Sequence, residues 1–588
     1  MRSGAPFAAA MVGLCVLSAV VAHGERPQRL ERLAQQAARA RGRLERIPAS
    51  HRGRLSAGAQ NYMHRAQQWS QVEAKLRALG GPGAPAAPRL SVAGRRMAAP
   101  SPGPAMSSSL TGGRVSDPWA DAATSFLAGF TQSETSTAWC GNVAVVAFND
   151  SGSLLPSLAA GGGGSFNGYS RSTDEGATFK DLGFLPISNP DAELLGDPVA
   201  ACTDARTFYY ASLHLDFGSS TTGASVSKST DGGVTFGDPV AAVAKSLDSH
   251  FIDKEWMAAD PTNSQRLYVT YTDFDFSGDT CGTDGNGDPI FRTGIELVKS
   301  IDGGGTWSPP LDLATSCGDD GEQGSQVVVD DHGRVFVAWE HFPAGVPYNE
   351  IRLRKSTNQG ASFSSPVLVS QTIPVGGNGG RQFLQGIIRV VEFPSLAVDR
   401  SRGPQKGNLY VSWNDGRFAS IPDGLAADGV YAFSDVLFVR STDGGASFDA
   451  APTRIHQGSS TTFTDQYMPA LGVDKEGTLG ICYYDRRRDD TNFFIDRRCA
   501  RSDDGGHHWE GTRVNHTSFP STQFQDFAIA FGYQGDYDTL TGDFLKRSSG
   551  LLGAYADNTL GSQDVKSNRL SGDSDDGHDD LDDHRERR

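Results

Sequence analysis

Two short segments of the sequence concentrate the side chains best suited to chemistry. One runs from Trp413 to Arg417 and the other from Tyr483 to Arg488, and both combine aromatic rings, carboxylates and arginines. Carboxylates accept hydrogen bonds from hydroxyl groups, aromatic faces stack on sugar rings, and arginine binds an anionic group through two parallel hydrogen bonds. We therefore expect a carbohydrate-binding site. Its binding groups in these segments are Asp415, Arg417, Arg486 and Arg487.

A third segment carries the spacing Asp284-x-Asn286-x-Asp288, whose alternating oxygens resemble the opening of a calcium-binding loop. Pro289 stands where such a loop has glycine, and Ile295 stands where it has a carboxylate. Calcium is a candidate ligand on this pattern, and an Asp- and Gly-rich loop without metal is the alternative. No other cofactor is expected.

These residues need a frame, and the frame is marked by an octet, Ser441–Phe448, of which the chain has six copies with the pattern S-x-D-x-G-x-[TS]-[FW]. Asn358 replaces the Asp in the fourth copy, and His508 replaces the Thr in the sixth. The copies begin at Ser172, Ser229, Ser300, Ser356, Ser441 and Ser502. An Asp in a tight turn accepts backbone N–H groups, and Gly supplies the positive φ of the reversal. We interpret the octet as the fastener of a β-hairpin, without a catalytic or metal-binding role.

The octet resembles the Asp-box (BNR) repeat of the sialidase (neuraminidase-like) β-propellers, and the resemblance extends from about Thr137 to Leu570. It implies that each octet lies between the third and fourth strands of a blade, on the face away from the ligand site. One fold supports many reactions, so the resemblance indicates the fold more strongly than the chemistry.

Two strand-like segments precede each octet, which gives four strands per repeat, as in a propeller blade. A further pair of segments, near Gly535–Tyr537 and Leu551–Asp557, follows the last octet. We therefore predict an all-β, seven-bladed β-propeller of four-stranded antiparallel blades, preceded by a short α-helical hairpin. Six blades are the alternative, if the last segment completes the first blade.

The second strand of each predicted blade ends near a carboxylate, on the face opposite the octets. These carboxylates are Asp150, Asp216, Asp273, Glu340, Asp415, Asp485 and Asp557. The starts of the first strands add Asp253, Trp256, Glu392 and Tyr537 to the same face. Sialidases use a Tyr nucleophile, carboxylates and three arginines, so the resemblance implies catalytic roles for Tyr484, Asp485 and Glu392. The substrate-binding residues would be Arg417, Arg486, Arg487, Asp415, Trp256, Asp253 and Tyr537.

One sialidase motif, Phe/Tyr-Arg-Ile/Leu-Pro on an early strand, has no counterpart on an early strand here. The chain has Arg46-Ile47-Pro48, which lies in the N-terminal region, and we treat it as chance. Two functions therefore stay open: recognition of acidic extracellular glycans, with or without hydrolysis, or a non-catalytic lectin or protein-binding scaffold. In the second case the arginines would form structural bridges to the carboxylates at strand ends.

The N-terminus and the cysteines predict the cellular location. Residues 1–24 combine Arg2, an apolar run and small residues before Glu25, as in a secretory signal peptide. Six cysteines remain, which favours disulfides in an oxidising compartment. The pairs expected from their positions are Cys281–Cys317, Cys482–Cys499 and Cys140–Cys202. We expect a secreted or periplasmic monomer without a transmembrane segment, whose partners are glycans or glycoproteins. The formal charge of -16 disfavours nucleic acid.

The remaining boundaries follow from composition. Residues 25–80 carry twelve basic and four acidic side chains and two amphipathic patterns, which predict a basic helical hairpin. This hairpin is a pro-segment, a docking arm or a surface element. Residues 81–115 form a Pro/Ala/Gly-rich linker, residues 116–570 the propeller, and residues 571–588 a disordered acidic tail.

Overall fold

A computed structural model of the chain describes residues 46–48, 55, 115, 131–375, 383–386, 388–422, 424, 429–456, 463–521, 533–559 and 563–570. The predicted signal peptide, helical hairpin and acidic tail lie outside these residues, apart from 46–48 and 55 of the hairpin, and so does the linker apart from Val115. Among the described residues, no helix combines the length and apolar character needed to cross a bilayer.

Most of the described chain is folded into β-strands, with one short helix, α1 (Leu154–Ala159), after a 3-10 turn at Ser151–Ser153. The strands of the first two large sheets, in chain order, are β1 (Gln132–Cys140), β2 (Val143–Asp150), β3 (Gly164–Ser165), β4 (Asn167–Ser172), β5 (Lys180–Phe184), β6 (Ala192–Cys202), β7 (Phe208–Asp216), β8 (Thr221–Ser229) and β9 (Val240–Ser246). Those of the next two are β10 (His250–Ala259), β11 (Leu267–Asp275), β12 (Arg292–Ser300), β13 (Leu311–Cys317), β14 (Gly321–Val329), β15 (Val335–Phe342), β16 (Asn349–Ser356) and β17 (Val367–Thr372). The remaining strands are β18 (Phe383–Leu384), β19 (Ile388–Arg389), β20 (Ser395–Val398), β21 (Leu409–Pro422), β22 (Val430–Ser441), β23 (Thr453–Arg454), β24 (Gln466–Val473), β25 (Leu479–Asp485), β26 (Asp496–Ser502), β27 (Glu510–Arg513), β28 (Leu540–Gly542), β29 (Leu551–Asp557) and β30 (Asp564–Leu570).

These strands form seven sheets, blades I to VII, in which successive strands pair antiparallel. The sheets are β1-β2-β4-β5, β6-β7-β8-β9, β10-β11-β12-β13, β14-β15-β16-β17, β20-β21-β22-β23, β24-β25-β26-β27 and β28-β29-β30. Strand β3 adds to blade II in parallel with β6, and β18 and β19 form a separate small hairpin. The first strands of the blades contact one another in ring order, and β28 contacts β1. The fold is therefore a seven-bladed β-propeller, and the seven-blade prediction is confirmed.

Blade VII receives backbone from the N-terminal part of the chain at its outer edge. Its three strands are joined at the free edge of β30 by Val115, whose amide donates to the carbonyl of Val565 at 3.0 Å. The side chain of Val115 is buried with Val146 and Phe148 of blade I and with Val565. This bond pairs one backbone group at an edge of the sheet, where unpaired groups could otherwise template pairing with another chain.

The core lies between neighbouring blades, because each sheet is covered on both faces. Along β21, Val411 and Trp413 pack with Leu353 of blade IV, whereas Tyr410 packs on the other side with Tyr483 of blade VI. This alternation is the two-residue period of a strand whose faces are both buried. The inner strands surround a central cavity of about 210 Å³ on the side of the octets.

The six octets form one recurring turn between the third and fourth strands of blades I to VI. In blade V, Ser441 Oγ donates to Asp443 Oδ1 at 2.7 Å, Gly445 N donates to Ser441 Oγ at 2.9 Å, and Ser447 Oγ donates to Asp443 Oδ2 at 2.6 Å. Equivalent bonds centre on the residue at the third octet position of the other five turns: Asp174, Asp231, Asp302, Asn358 and Asp504. The octets thus act as turn fasteners, and their carboxylates are occupied by their own turns.

Disulfides join all three expected pairs, Cys140–Cys202, Cys281–Cys317 and Cys482–Cys499. The first hairpin turns at Gly141 with a φ of 66°, so β1 ends at Cys140 and β2 starts at Val143. In blade V, β21 and β22 continue past Asp415, because residues 419–422 keep pairing with residues 430–433 after a register shift.

Candidate functional site

The inner strands of blades I to IV and VI share a bulge at the end that faces away from the octets. In β1, β6, β10 and β24 the residue after the last regular pair adopts positive φ, at Glu134 (51°), Asp197 (56°), Lys254 (49°) and Met468 (54°). Gly324 holds this position in β14, with a φ of 68°. A non-glycine residue in this conformation is strained by about 1 kcal/mol, which the surrounding structure must offset. Three charged residues on three consecutive blades therefore occupy strained positions.

A hydrogen-bond network joins the bulges of blades I and II. Asn149 Nδ2 donates to Glu134 Oε2 at 2.7 Å and to the hydroxyl of Tyr533 at 2.6 Å. Asn149 Oδ1 accepts the amide of Asp197 at 3.0 Å, and Glu134 Oε1 accepts the amide of Asp536 at 2.8 Å. Because Asp536 lies in the segment before blade VII, this network ties together three blades around the centre of the ring.

Glu255, the residue after the bulge position of blade III, is fully buried, and neither of its carboxyl oxygens has a hydrogen-bond partner among the described residues. Burial raises its pKa well above the usual range, and the negative charges of Asp197 and Asp253 raise it further. The pKa of Glu134 is raised in the same way, first by burial and then by Asp197 and Asp536. A carboxyl of this kind retains its proton at a pH where an exposed one has lost it.

Lys254 supplies a positive charge within the cluster. Its side chain is 2% exposed, and its Nζ lies 3.7 Å from the ring centroid of Tyr537 and 4.7 Å from that of Trp256. The two rings meet edge to face at 5.3 Å, and the Tyr537 hydroxyl donates to the carbonyl of Pro198 at 2.8 Å. The Lys254 charge lowers the pKa values of Glu134 and Glu255, against the larger effect of burial.

We call this group the central cluster: Glu134, Asn149, Asp197, Asp253, Lys254, Glu255, Trp256, Asp536 and Tyr537. Three of its members, Asp253, Trp256 and Tyr537, are predicted substrate-binding residues. Asp253 also bonds across to blade IV, since its Oδ2 accepts Gln323 Nε2 at 2.9 Å.

The predicted arginines lie elsewhere, and each is paired with a carboxylate. Arg417 donates from Nε and Nη2 to the two oxygens of Asp415, at 2.7 and 2.6 Å. Arg486 is fully buried, with its Nη1 3.2 Å from Asp465 Oδ2.

Arg487 completes the set, with its Nε 2.5 Å from Asp485 Oδ2. The structure therefore shows three ion pairs, in blades V and VI, and does not bring the three guanidinium groups together at one position.

The residues predicted to be catalytic are also dispersed. Tyr484 is fully buried, its hydroxyl accepts the amide of Ala556 at 2.9 Å, and the guanidinium of Arg497 lies 4.7 Å from its ring centroid. Burial, followed by the negative charge of Asp538, raises the pKa of Tyr484 well above its usual range, which is unfavourable for a nucleophile.

The two predicted catalytic carboxyls occupy different surroundings. Asp485 Oδ1 accepts Gln466 Nε2 at 3.0 Å, and Glu392 Oε1 accepts the amide of Val375 at 2.9 Å. The roles assigned to Tyr484, Asp485 and Glu392 stay predictions.

Two groups of residues have metal-ligand chemistry. In the predicted calcium loop, Asp284 Oδ1 accepts the amides of Asn286 and Asp288 at 2.8 and 3.0 Å, so this oxygen serves its own turn.

The second group is His250, Asp273 and Asp275, whose potential ligand atoms lie within 4.8 Å of one another. Lys245 Nζ and Arg292 Nη1 already lie 2.9 and 3.0 Å from Asp273, which disfavours a further cation there. Calcium binding stays a prediction.

Sequence reasoning did not find Glu134, Asn149, Tyr533 or Arg389. It named Asp253, Trp256 and Tyr537 from their positions in the repeats. The signal that could have found the cluster is the alignment of the bulge positions, in which charged residues replace the glycine of blade IV.

No protein-family model matches the chain, and no curated protein matches it. The solved structures similar to it include a Penicillium chrysogenum α-L-arabinanase complexed with arabinobiose, at 15% identity and a TM-score of 0.39, covering 60% of this chain and 93% of the other. They also include the Trypanosoma rangeli sialidase in complex with sialic acid (13% identity, TM-score 0.33, covering 67% of this chain and 56% of the other) and the NanB sialidase from Streptococcus pneumoniae (10% identity, TM-score 0.38, covering 73% and 83%). At these identities and TM-scores the likeness carries no argument about activity.

Proposed function

We propose that this protein is a glycoside hydrolase that acts on extracellular glycans at the central cluster. The observation that carries the proposal is the convergence of Glu134, Asp197 and Glu255 from three blades, beside the rings of Trp256 and Tyr537. Buried carboxyls with raised pKa values, such as Glu134 and Glu255, mark candidate catalytic sites when they gather at one place.

Two carboxyls of the cluster have environments suited to different roles. Glu255 lacks hydrogen bonds among the described residues and burial raises its pKa, so it is suited to donate a proton to a leaving glycosidic oxygen. Glu134 accepts an N–H group on each oxygen, and these bonds oppose the larger effect of burial, Asp197 and Asp536, which raise its pKa. In its ionised form Glu134 would stabilise the positive charge that develops on the sugar ring.

The charge of the cluster favours an uncharged sugar over an acidic one. Five carboxyls (Glu134, Asp197, Asp253, Glu255 and Asp536) surround the positive charge of Lys254, and Arg389 is paired with Asp536 at 2.9 Å. The arginines that would hold an anionic substituent, Arg417 above all, are each paired with another carboxylate. Aromatic rings and carboxylates remain for the sugar ring and its hydroxyl groups.

A non-catalytic glycan- or protein-binding function is the second candidate. The observations that favour it are the deep burial of Tyr484 and the separate ion pairs of Arg417, Arg486 and Arg487. For either function we propose action outside the cytoplasm, because three disulfides join the blades and loops and such bonds persist in oxidising compartments.

The test is a panel of neutral aryl glycosides and a fluorogenic sialoside, assayed on the purified protein beside a glycan array. We expect turnover of a neutral glycoside that is lost in Glu255→Gln and retained in Arg417→Ala. If instead the sialoside is turned over, and this turnover is lost in Arg417→Ala, the substrate is an acidic sugar and not a neutral one. Glycan binding without turnover of any substrate would favour the second candidate.

A further inference from the structure

Two residues far upstream of blade I are buried against the propeller. Ile47 and Leu55 are both 0% exposed and belong to the apolar cluster that joins blades II, III and IV. Next to them, Arg46 Nη1 lies 3.4 Å from the carbonyl of Asp248, in the connection between β9 and β10. This connection leads into the inner strand of blade III at the end that carries Lys254 and Glu255. We call Arg46–Pro48 together with Leu55 the N-terminal strap.

The strap is connected to the central cluster through one arginine. Arg389 Nη2 donates to the carbonyl of Leu55 at 2.6 Å and lies 2.9 Å from Asp536 Oδ2. The amide of Asp536 in turn donates to Glu134 Oε1 at 2.8 Å. Leu55 is therefore two residues removed from Glu134, the carboxyl on which the proposed function depends.

The burial of the cluster is itself informative. Glu134 is 1% exposed and Glu255 is 0% exposed, so a glycan cannot reach either carboxyl while the surrounding groups stay in place. Most of these groups belong to strands of the ring, which are held by paired backbone. The described residues of the strap belong to no sheet, and they contact the propeller through the bonds to Asp248 and Arg389 and through the buried side chains of Ile47 and Leu55.

We propose that the N-terminal strap is an intramolecular inhibitor that covers the central cluster and leaves before a glycan binds. The inhibitory role rests on the proposed function. The position of the strap rests on the contacts of Ile47, Leu55 and Arg389. Releasing the strap removes two apolar side chains from the cluster of blades II to IV and frees Arg389 Nη2 from the Leu55 carbonyl. It leaves the pairing of every described strand intact.

The test uses hydroxyl-radical footprinting with mass spectrometry on the full chain and on Leu55→Ala. Trp256 and Tyr537 report opening of the central cluster, and the fully buried Trp413 of blade V reports the rest of the fold. We expect oxidation of Trp256 and Tyr537 to rise about thirtyfold, the effect on an opening equilibrium of removing one buried leucine side chain. Oxidation of Trp413 should not change.

Leu479→Ala in blade VI is the matched control, because Leu479 is equally buried but lies on a strand away from the strap. It should leave the ratio of Trp256 to Trp413 oxidation unchanged. Unchanged oxidation of Trp256 in Leu55→Ala, or an equal rise at Trp413, would refute the proposal that the strap covers the central cluster. A selective rise at Trp256 without any glycan binding or turnover would support the strap and remove the proposed function. If Leu55→Ala is not obtained folded, Ile47→Ala provides the same comparison.

Discussion

Replacing Glu255 by Gln should stabilise the protein at alkaline pH, although it alters a fully buried side chain. Glu255 has no hydrogen-bond partner among the described residues, and burial raises its pKa. The unfolded chain therefore loses this proton at a lower pH than the folded chain does. Between these two pKa values the folded state binds more protons, so stability falls as pH rises, by about 1.4 kcal/mol per pH unit for one group.

The size of the stability change in Glu255→Gln depends on pH. Below the pKa of the unfolded chain, Glu255 is protonated in both states and Gln replaces it at little cost. At about pH 8 the variant avoids the penalty of a buried, unpaired carboxyl, and we expect a gain of about 2 kcal/mol. The measurement is the free energy of unfolding from urea titrations at about pH 4 and about pH 8, compared at constant m-value.

Glu322→Gln is the matched control, because Glu322 is 2% exposed but fully hydrogen-bonded. Its oxygens accept Trp339 Nε1 at 2.6 Å, His341 Nδ1 at 2.9 Å and Ser316 Oγ at 2.9 Å. An amide cannot accept at both ends, so this variant should lose about 2–3 kcal/mol at both pH values. The reasoning is refuted if Glu255→Gln destabilises the protein at about pH 8, or if its effect is the same at both pH values.

Two other substitutions test the frame of the propeller. Asp443→Ala should lower the free energy of unfolding by about 1–2 kcal/mol. Asp443→Asn should lower it by less than about 0.5 kcal/mol, because Asn358 makes the same turn in blade IV. Equal losses for the two variants in thermal melts would contradict the role of Asp443 as a turn fastener. Burial raises the pKa of Asp150 to about 7. The folded state therefore binds this proton more tightly than the unfolded state, and the resulting stability is lost as pH rises from about 4 to about 7. Relative to the unsubstituted protein, Asp150→Asn should gain up to about 4 kcal/mol in the free energy of unfolding at about pH 8. A difference between the two unfolding curves that does not change with pH would count against that assignment.

The repeated parts of the molecule were predictable because their physical cause is local. The bonds of Asp443 to Ser441 and Ser447 lie within one octet, so the residue types and their spacing are sufficient to predict the turn. The cross-strand position of Cys482 and Cys499 likewise follows from one hairpin. The count of seven blades needed one step more, the recognition of strand-like segments after the last octet.

The central cluster was not predictable in the same way, because its contacts join distant parts of the chain. The bond between the Asp536 amide and Glu134 spans 402 residues, and it forms only when the ring closes. The arginine-rich segments stood out in the sequence by composition. In the structure Arg417 binds Asp415, two residues before it, so composition did not reveal that its charge is already paired.

Comparison among the blades separates what the fold needs from what the cluster needs. The bulges in the inner strands of blades I to IV and VI each place a residue at positive φ, and Gly324 in blade IV adopts this conformation without strain. A side chain is excluded there, since a Cβ on Gly324 would lie 2.1 Å from the ring of Phe393. In blades I, II and III the same position holds Glu134, Asp197 and Lys254, so the fold carries both backbone strain and buried charge where glycine would avoid both. Met468 has the same backbone conformation in blade VI without a charge, so the feature specific to blades I, II and III is the buried charge of these three side chains.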